Sequence, residues 1–222
     1  MFLELPDLLT PEEVAELRRI GDTAAFLDGR ISNPHNTTKA NLRVNDAQAF
    51  QRSAQLAMQA FGRSREFGDW AFPKTLAVPT LTKYVAGGKY GVHADAAFMP
   101  MGPDKPELRS DLSCTVFVSA PESYDGGELV IHLGSRTVAV KGAAGSAVVY
   151  PSTTLHEVRP VTRGDRLVVL TFIESRVKDP AQRDLLYEMN EVAALEGLNM
   201  SWDNRTRLQR VRDGLFRLWG EG

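Results

Sequence analysis

Tyr124-Asp125-Gly126-Gly127-Glu128-Leu129-Val130-Ile131-His132-Leu133-Gly134-Ser135-Arg136-Thr137-Val138-Ala139-Val140-Lys141-Gly142 holds two runs, 128–133 and 137–141, rich in Val, Ile, Leu and Thr. Each is too short for a helix and is bounded by glycine, so each reads as a β-strand. The pattern continues in both directions. Residues 80–86, 112–119, 146–150, 155–158 and 166–174 are similar runs. Ala86-Gly87-Gly88, Gly142-Ala143-Ala144-Gly145 and Arg163-Gly164-Asp165 separate them as turns. Many short strands at close intervals predict a mainly β sandwich or barrel. No strand-helix alternation is present, which argues against Rossmann and TIM layouts.

Helical patterns lie on either side. Thr10 can cap a helix, Pro11 suits its first position and Glu13 completes a capping box, with Val14, Leu17 and Ile20 following at helical spacing. A second helix is predicted after Asn45 or Asp46, with Ala47, Phe50, Ala54, Ala57 and Phe61 on one face. Between them residues 29–45 are polar and read as a loop, either a lid or plain surface. After Asp179-Pro180, Leu185, Leu186, Met189, Val192 and Ala193 form an apolar stripe, and Gly197 is a stop. A last helix carries Leu208, Val211, Leu215, Leu218 and Trp219 opposite Arg205, Arg207, Arg210, Arg212 and Arg217, which reads as a solvated face on a helix packed against the sheet. The expected organisation is a helical and loop support at 1–78, a β core at 79–175 and C-terminal helices at 176–222.

Composition narrows the function. With 222 residues, 43% apolar and 24% charged, the chain is of ordinary globular type. A net charge of 26 − 28 = −2 argues against a dedicated nucleic-acid binder. No apolar run approaches the roughly 20 residues of a membrane span, and residues 1–7 lack a signal-peptide pattern. The one cysteine, Cys114, cannot form an internal disulfide and is expected in the core. These features predict a cytoplasmic protein with no membrane partner.

Four histidines are present: His35, His93, His132 and His156. His93 and Asp95 are two apart, so on an extended segment they point to one face. His156, in an apolar run, can supply a third ligand. Two imidazoles and a carboxylate form the facial triad of non-haem Fe(II) oxygenases, which leaves three coordination positions open. Arg166, ten residues later, opens the run Arg166-Leu167-Val168-Val169-Leu170-Thr171-Phe172. A guanidinium entering an apolar strand needs a partner. 2-Oxoglutarate satisfies both features: its 2-oxo acid end chelates iron and its far carboxylate pairs with Arg166. His132 is expected to face outward, His35 to lie in the early loop, and Trp70, Trp202 and Trp219 to serve packing.

Tyr84, nine residues before His93, joins Tyr90-Gly91-Val92-His93-Ala94-Asp95, Arg109-Ser110-Asp111-Leu112-Ser113, Tyr124-Asp125-Gly126-Gly127-Glu128-Leu129, Tyr150-Pro151-Ser152 and Pro160-Val161-Thr162-Arg163-Gly164-Asp165-Arg166. Together these resemble the bacterial PKHD-type hydroxylases, relatives of prolyl 4-hydroxylase among the Fe(II)/2-oxoglutarate dioxygenases. The resemblance runs from about 79 to 174 and continues more weakly through Arg183-Asp184-Leu185-Leu186. It implies a double-stranded β-helix (jelly roll) with flanking helices. It implies His93, Asp95 and His156 as Fe(II) ligands and Arg166 as the 2-oxoglutarate anchor. Tyr84 and Ser113 are implied to help hold the same carboxylate. L-ascorbate is implied as reductant, and some relatives are associated with iron uptake. Related halogenases replace the carboxylate ligand with a small residue, so Asp95 implies hydroxylation or another oxidation rather than chlorination. The segment 94–99 is more apolar than the family pattern.

Three readings compete: a dioxygenase using 2-oxoglutarate, dioxygen and an unidentified organic substrate (a small molecule, amino acid or peptidyl side chain); a silent cupin-like metal- or ligand-binding jelly roll; and an interaction module using the Arg-rich last helix. The complete set His93, Asp95, His156 and Arg166 favours the first, since a cupin-like binder has no need of that arginine. The apolar stripes of the last two helices add a possible homodimer.

Overall fold

Alternation of side chains along short strands builds two antiparallel sheets. A computed structural model describes residues 2–32 and 36–222; the expectation for His35 lies outside the described residues. The larger sheet runs Leu3–Leu5, Ala147–Pro151, Leu112–Phe117, Arg166–Ser175, Thr80–Tyr84, Leu42–Val44, Phe26–Asp28, with Pro73–Leu76 beside the far end of Arg166–Ser175. The smaller runs Arg136–Val140, Leu129–Leu133, His156–Val158, Lys89–His93, Lys39–Ala40. From residue 80 to 93, and again from 147 to 175, the chain alternates between the two sheets. That is the path of a double-stranded β-helix, as the sequence resemblance implied.

Period two decides which side chains reach the interior. On Leu112–Phe117, Leu112, Cys114 and Val116 join the buried cluster under the helices. Phe117 joins a second cluster with Tyr84, Val148, Tyr150 and Val168 of the larger sheet and Leu129, Ile131 and Val158 of the smaller. This second cluster is the interior of the sandwich. On Arg166–Ser175, Leu167, Val169 and Ile173 face the helices, so Arg166 shares the inward face with Val168.

Helix α1 (Pro11–Thr23) has the predicted capping box of Thr10 and Glu13. Helix α2 (Ala47–Arg63) starts at an Asp46 cap and buries Ala54, Leu56, Ala57, Ala60 and Phe61. A short α3 (Arg65–Ala71), absent from the sequence reading, buries Phe67 and Trp70. The polar stretch 29–45 is more than a loop: Lys39–Ala40 pairs with Lys89–His93, and Leu42–Val44 pairs with Thr80–Tyr84 and Phe26–Asp28. Helix α4 (Pro180–Glu196) packs on α3 and buries Leu186. Helix α5 (Trp202–Trp219) lies mainly on α4, not on the sheet, and none of its residues is buried. Trp202, the first residue of α5, is 76% exposed, against the expectation of a packing residue, because no residue of that helix is buried.

Candidate metal site and buried guanidinium

His93 ends one strand of the smaller sheet and His156 opens its neighbour, and the two are register partners. Their rings are 4.3 Å apart. Asp95 follows directly, its backbone N–H held by the Ser152 carbonyl at 3.2 Å. Its carboxylate oxygens lie 3.8 Å from His93 Nε2 and 3.6 Å from His156 Nε2. All three ligand atoms fall within 4.8 Å of one another, and among the described residues this is the one such cluster. Each Nδ1 faces a backbone carbonyl, Gly91 at 2.7 Å and Thr154 at 2.9 Å. A carbonyl only accepts, so each proton sits on Nδ1 and each Nε2 lone pair is free for a metal. Burial, aided by the neighbouring His156, holds the His93 imidazole below its ordinary pKa and so favours the neutral ligand form. Tyr90 stacks on His93 at 3.6 Å, and Tyr150 meets His156 edge-on at 5.0 Å. This donor set fits a divalent ion such as Fe(II) with open positions.

Behind Asp95 stands a buried chain of hydroxyls. Ser113 donates to Asp95 Oδ2 at 2.6 Å, Ser113 and Ser152 share a bond of 2.7 Å, and Ser110 donates to Ser152 at 2.8 Å. The resemblance implied that Ser113 holds the co-substrate carboxylate; here its partner is the candidate ligand Asp95. In the strand register Ser113 lies opposite Tyr150 and Phe172.

Arg166 is 1% exposed and register-paired with Tyr84. Its guanidinium lies 5.0 Å from the Tyr84 ring and 5.8 Å from that of Phe117. Nε, Nη1 and Nη2 have no hydrogen-bond partner. Tyr84 Oη accepts from Asn41 Nδ2 at 3.2 Å. Tyr124, 1% exposed, also has an unpaired hydroxyl. Neither Asn41 nor Tyr124 was singled out as a site residue from sequence; Tyr124 stood only within a motif that carries the family resemblance. His132 faces outward, 3.6 Å from Glu157, apart from the cluster.

A jelly roll that sets two histidines and an aspartate at one place and a buried, unpaired arginine at another has the layout of a 2-oxoglutarate/Fe(II) oxygenase. Residues 79–174 match the family model of the 2OG-Fe(II) oxygenase superfamily. Across 98% of this chain and 99% of the relative, it is 49% identical to a PKHD-type hydroxylase of Sphingopyxis alaskensis. It is 37% identical, over the full length of both, to one of Stenotrophomonas maltophilia. The fold is similar to that of a Pseudomonas putida prolyl-4-hydroxylase (TM-score 0.52, 21% identity, 79% of this chain and 92% of that one). It is also similar to an oxidoreductase of the 2OG-Fe(II) oxygenase family from Burkholderia pseudomallei (TM-score 0.58, 19% identity, 78% and 85%). The chain belongs to the PKHD-type hydroxylases. It is an Fe(II)- and 2-oxoglutarate-dependent dioxygenase, with 2-oxoglutarate and dioxygen as co-substrates.

Proposed function

We propose that His93, Asp95 and His156 hold the Fe(II), that Arg166 and Tyr84 receive the far carboxylate of 2-oxoglutarate, and that the reaction is hydroxylation of a C–H bond in a small molecule, amino acid or peptidyl side chain. The observation that carries the reading is Arg166: three buried guanidinium nitrogens without a partner call for an anion. Bound Fe(II) supplies dioxygen activation, with one oxygen atom going to succinate as 2-oxoglutarate loses CO2 and the other to the substrate. The protein's own groups orient and exclude. The Gly91 and Thr154 carbonyls set both imidazole tautomers, and Ser113 fixes the Asp95 carboxylate. Leu129, Ile131, Val158 and Val168 give the interior an apolar wall that keeps water out. The exposed Phe98, on the short ribbon of Phe98–Met99 with Leu108–Arg109, is a candidate substrate contact.

L-Ascorbate is the reductant in this reading, and the location is cytoplasmic. Among the described residues no helix is long and apolar enough to cross a membrane. The chain divides into support (1–78), dioxygenase core (79–175) and terminal helices (176–222). A homodimer through those helices is supported by exposed Leu185, Val192, Leu195, Leu198, Val211 and Leu218; a monomer mass by light scattering at micromolar protein disposes of it. The enzymatic reading is tested with labelled dioxygen and candidate extracts, followed by mass spectrometry. One labelled oxygen is expected in succinate and one in a hydroxylated product. No succinate above a His156→Ala control would leave a silent jelly-roll binder, and a chlorinated product would overturn the role given to Asp95.

A further inference from the structure

Hydrogen-bond donors accumulate unpaired around Arg166. Its Nε, Nη1 and Nη2 are buried and unpaired, and so is Tyr124 Oη. Tyr84 Oη uses a lone pair on Asn41 Nδ2, so its own hydrogen is free to be donated elsewhere. Tyr124 Oη lies beside the guanidinium, close enough for both the charge and the N–H groups of Arg166 to act on it, although no hydrogen bond of normal geometry joins them. Burial raises both phenols above their ordinary pKa, so both keep their protons. The position of Tyr124 is tightly set. Lys141 donates to its carbonyl at 2.7 Å and sits 4.2 Å from its ring centre. Gly127, at φ +67°, passes so close that a Cβ there would meet Arg166 Cδ at 3.0 Å and Tyr124 Cε2 at 3.2 Å.

We infer that Tyr124 is a direct co-substrate-binding residue: its hydroxyl donates to the far carboxylate of 2-oxoglutarate, completing a three-sided receiver with Arg166 and Tyr84. A carboxylate accepts about four hydrogen bonds, which matches a two-pronged guanidinium and two phenols. Arginine alone would recognise any small anion, whereas two phenols add positions that reward a planar carboxylate at one depth. Selectivity for a five-carbon 2-oxo diacid over a 2-oxo monoacid therefore rests on Tyr124 as well as Arg166. The inference builds on the assignment of Arg166 in the proposed function.

The test titrates Fe(II)-loaded protein anaerobically with 2-oxoglutarate and, at millimolar levels, with 2-oxovalerate, which has the same carbon chain without the far carboxylate. The visible metal-to-ligand charge-transfer band reads binding. Tyr124→Phe is expected to raise the Kd for 2-oxoglutarate about tenfold and to leave 2-oxovalerate unchanged. It removes a hydroxyl unpaired in the free protein, so the melting midpoint without co-substrate should hold or rise. Unchanged 2-oxoglutarate affinity, an equal loss for both ligands, or a lowered midpoint overturns the inference. Tyr124→Met, whose flexible side chain fills the space differently, carries the same expectation if the first variant does not fold. An Arg166→Gln arm separates the failures. If it loses 2-oxoglutarate and Tyr124→Phe does not, only the tyrosine is misassigned. If neither loses it, the underlying reading of the site falls.

Discussion

The two ends of the sandwich interior handle their polar atoms in opposite ways. At the end proposed to hold the metal, the imidazole Nδ1 atoms, the Asp95 carboxylate and three serine hydroxyls all have protein partners. At the guanidinium end, Arg166 and Tyr124 have none. A metal ligand has to be aimed before the metal arrives, so its surroundings are satisfied within the chain. A receiver for a carboxylate has to keep its donors vacant, and the fold bears the cost of burying them. Preorganisation therefore means full satisfaction at one end and deliberate shortage at the other.

Removing an imidazole should break the metal end outright. His156→Ala or His93→Ala is expected to lose stoichiometric Fe(II) after gel filtration while remaining folded by circular dichroism; wild-type metal content in either variant would end the ligand assignment. Next in size, Arg166→Ala should raise the 2-oxoglutarate requirement about a hundredfold, or roughly 3 kcal/mol, with Arg166→Lys restoring only part. Iron content should not change, and equal losses of both would erase the division between the two ends. Ser113→Ala should have the smallest effect, about tenfold in Fe(II) affinity by chelator competition, with 2-oxoglutarate affinity of the loaded protein intact. The reverse outcome would move that hydroxyl to the carboxylate receiver.

Legibility in the sequence follows the same physics. His93, Asp95, His156 and Arg166 are conspicuous because strand periodicity aligns the first two, and a guanidinium among Val and Leu needs a reason. The central strand, read as 166–174, spans Arg166–Ser175, since an apolar run buried on both faces marks its own limits. Tyr124 was legible only as part of a motif that carries the family resemblance, with no role of its own; its burial depends on how Gly126 and Gly127, at φ +71° and +67°, fold the chain back on Arg166. Asn41 lies between two very short strands whose pairing is set by distant neighbours, Lys39 with Tyr90 and Leu42 with Lys83. The break between α2 and α3 escaped notice because a single residue, Ser64, ends one helix and caps the next, so no loop separates them. Exposure along α5 could not be read from its apolar stripe, because periodicity gives a face and not the surface that covers it.

The larger sheet is also a timetable for folding. Arg166–Ser175 sits between Leu112–Phe117 and Thr80–Tyr84, yet it is the last of the sheet's strands in the sequence. Until it leaves the ribosome, the half holding Leu3–Leu5, Ala147–Pro151 and Leu112–Phe117 has no hydrogen-bonded path to the half holding Thr80–Tyr84, Leu42–Val44 and Phe26–Asp28. Insertion of a central strand between distant segments makes for slow, high-contact-order folding. A ribosome-stalled chain exposing only the first 165 residues is expected to stay protease-sensitive, and one exposing the first 176 to become resistant. Arg166 leads that final strand, so the same step that closes the sheet completes the site.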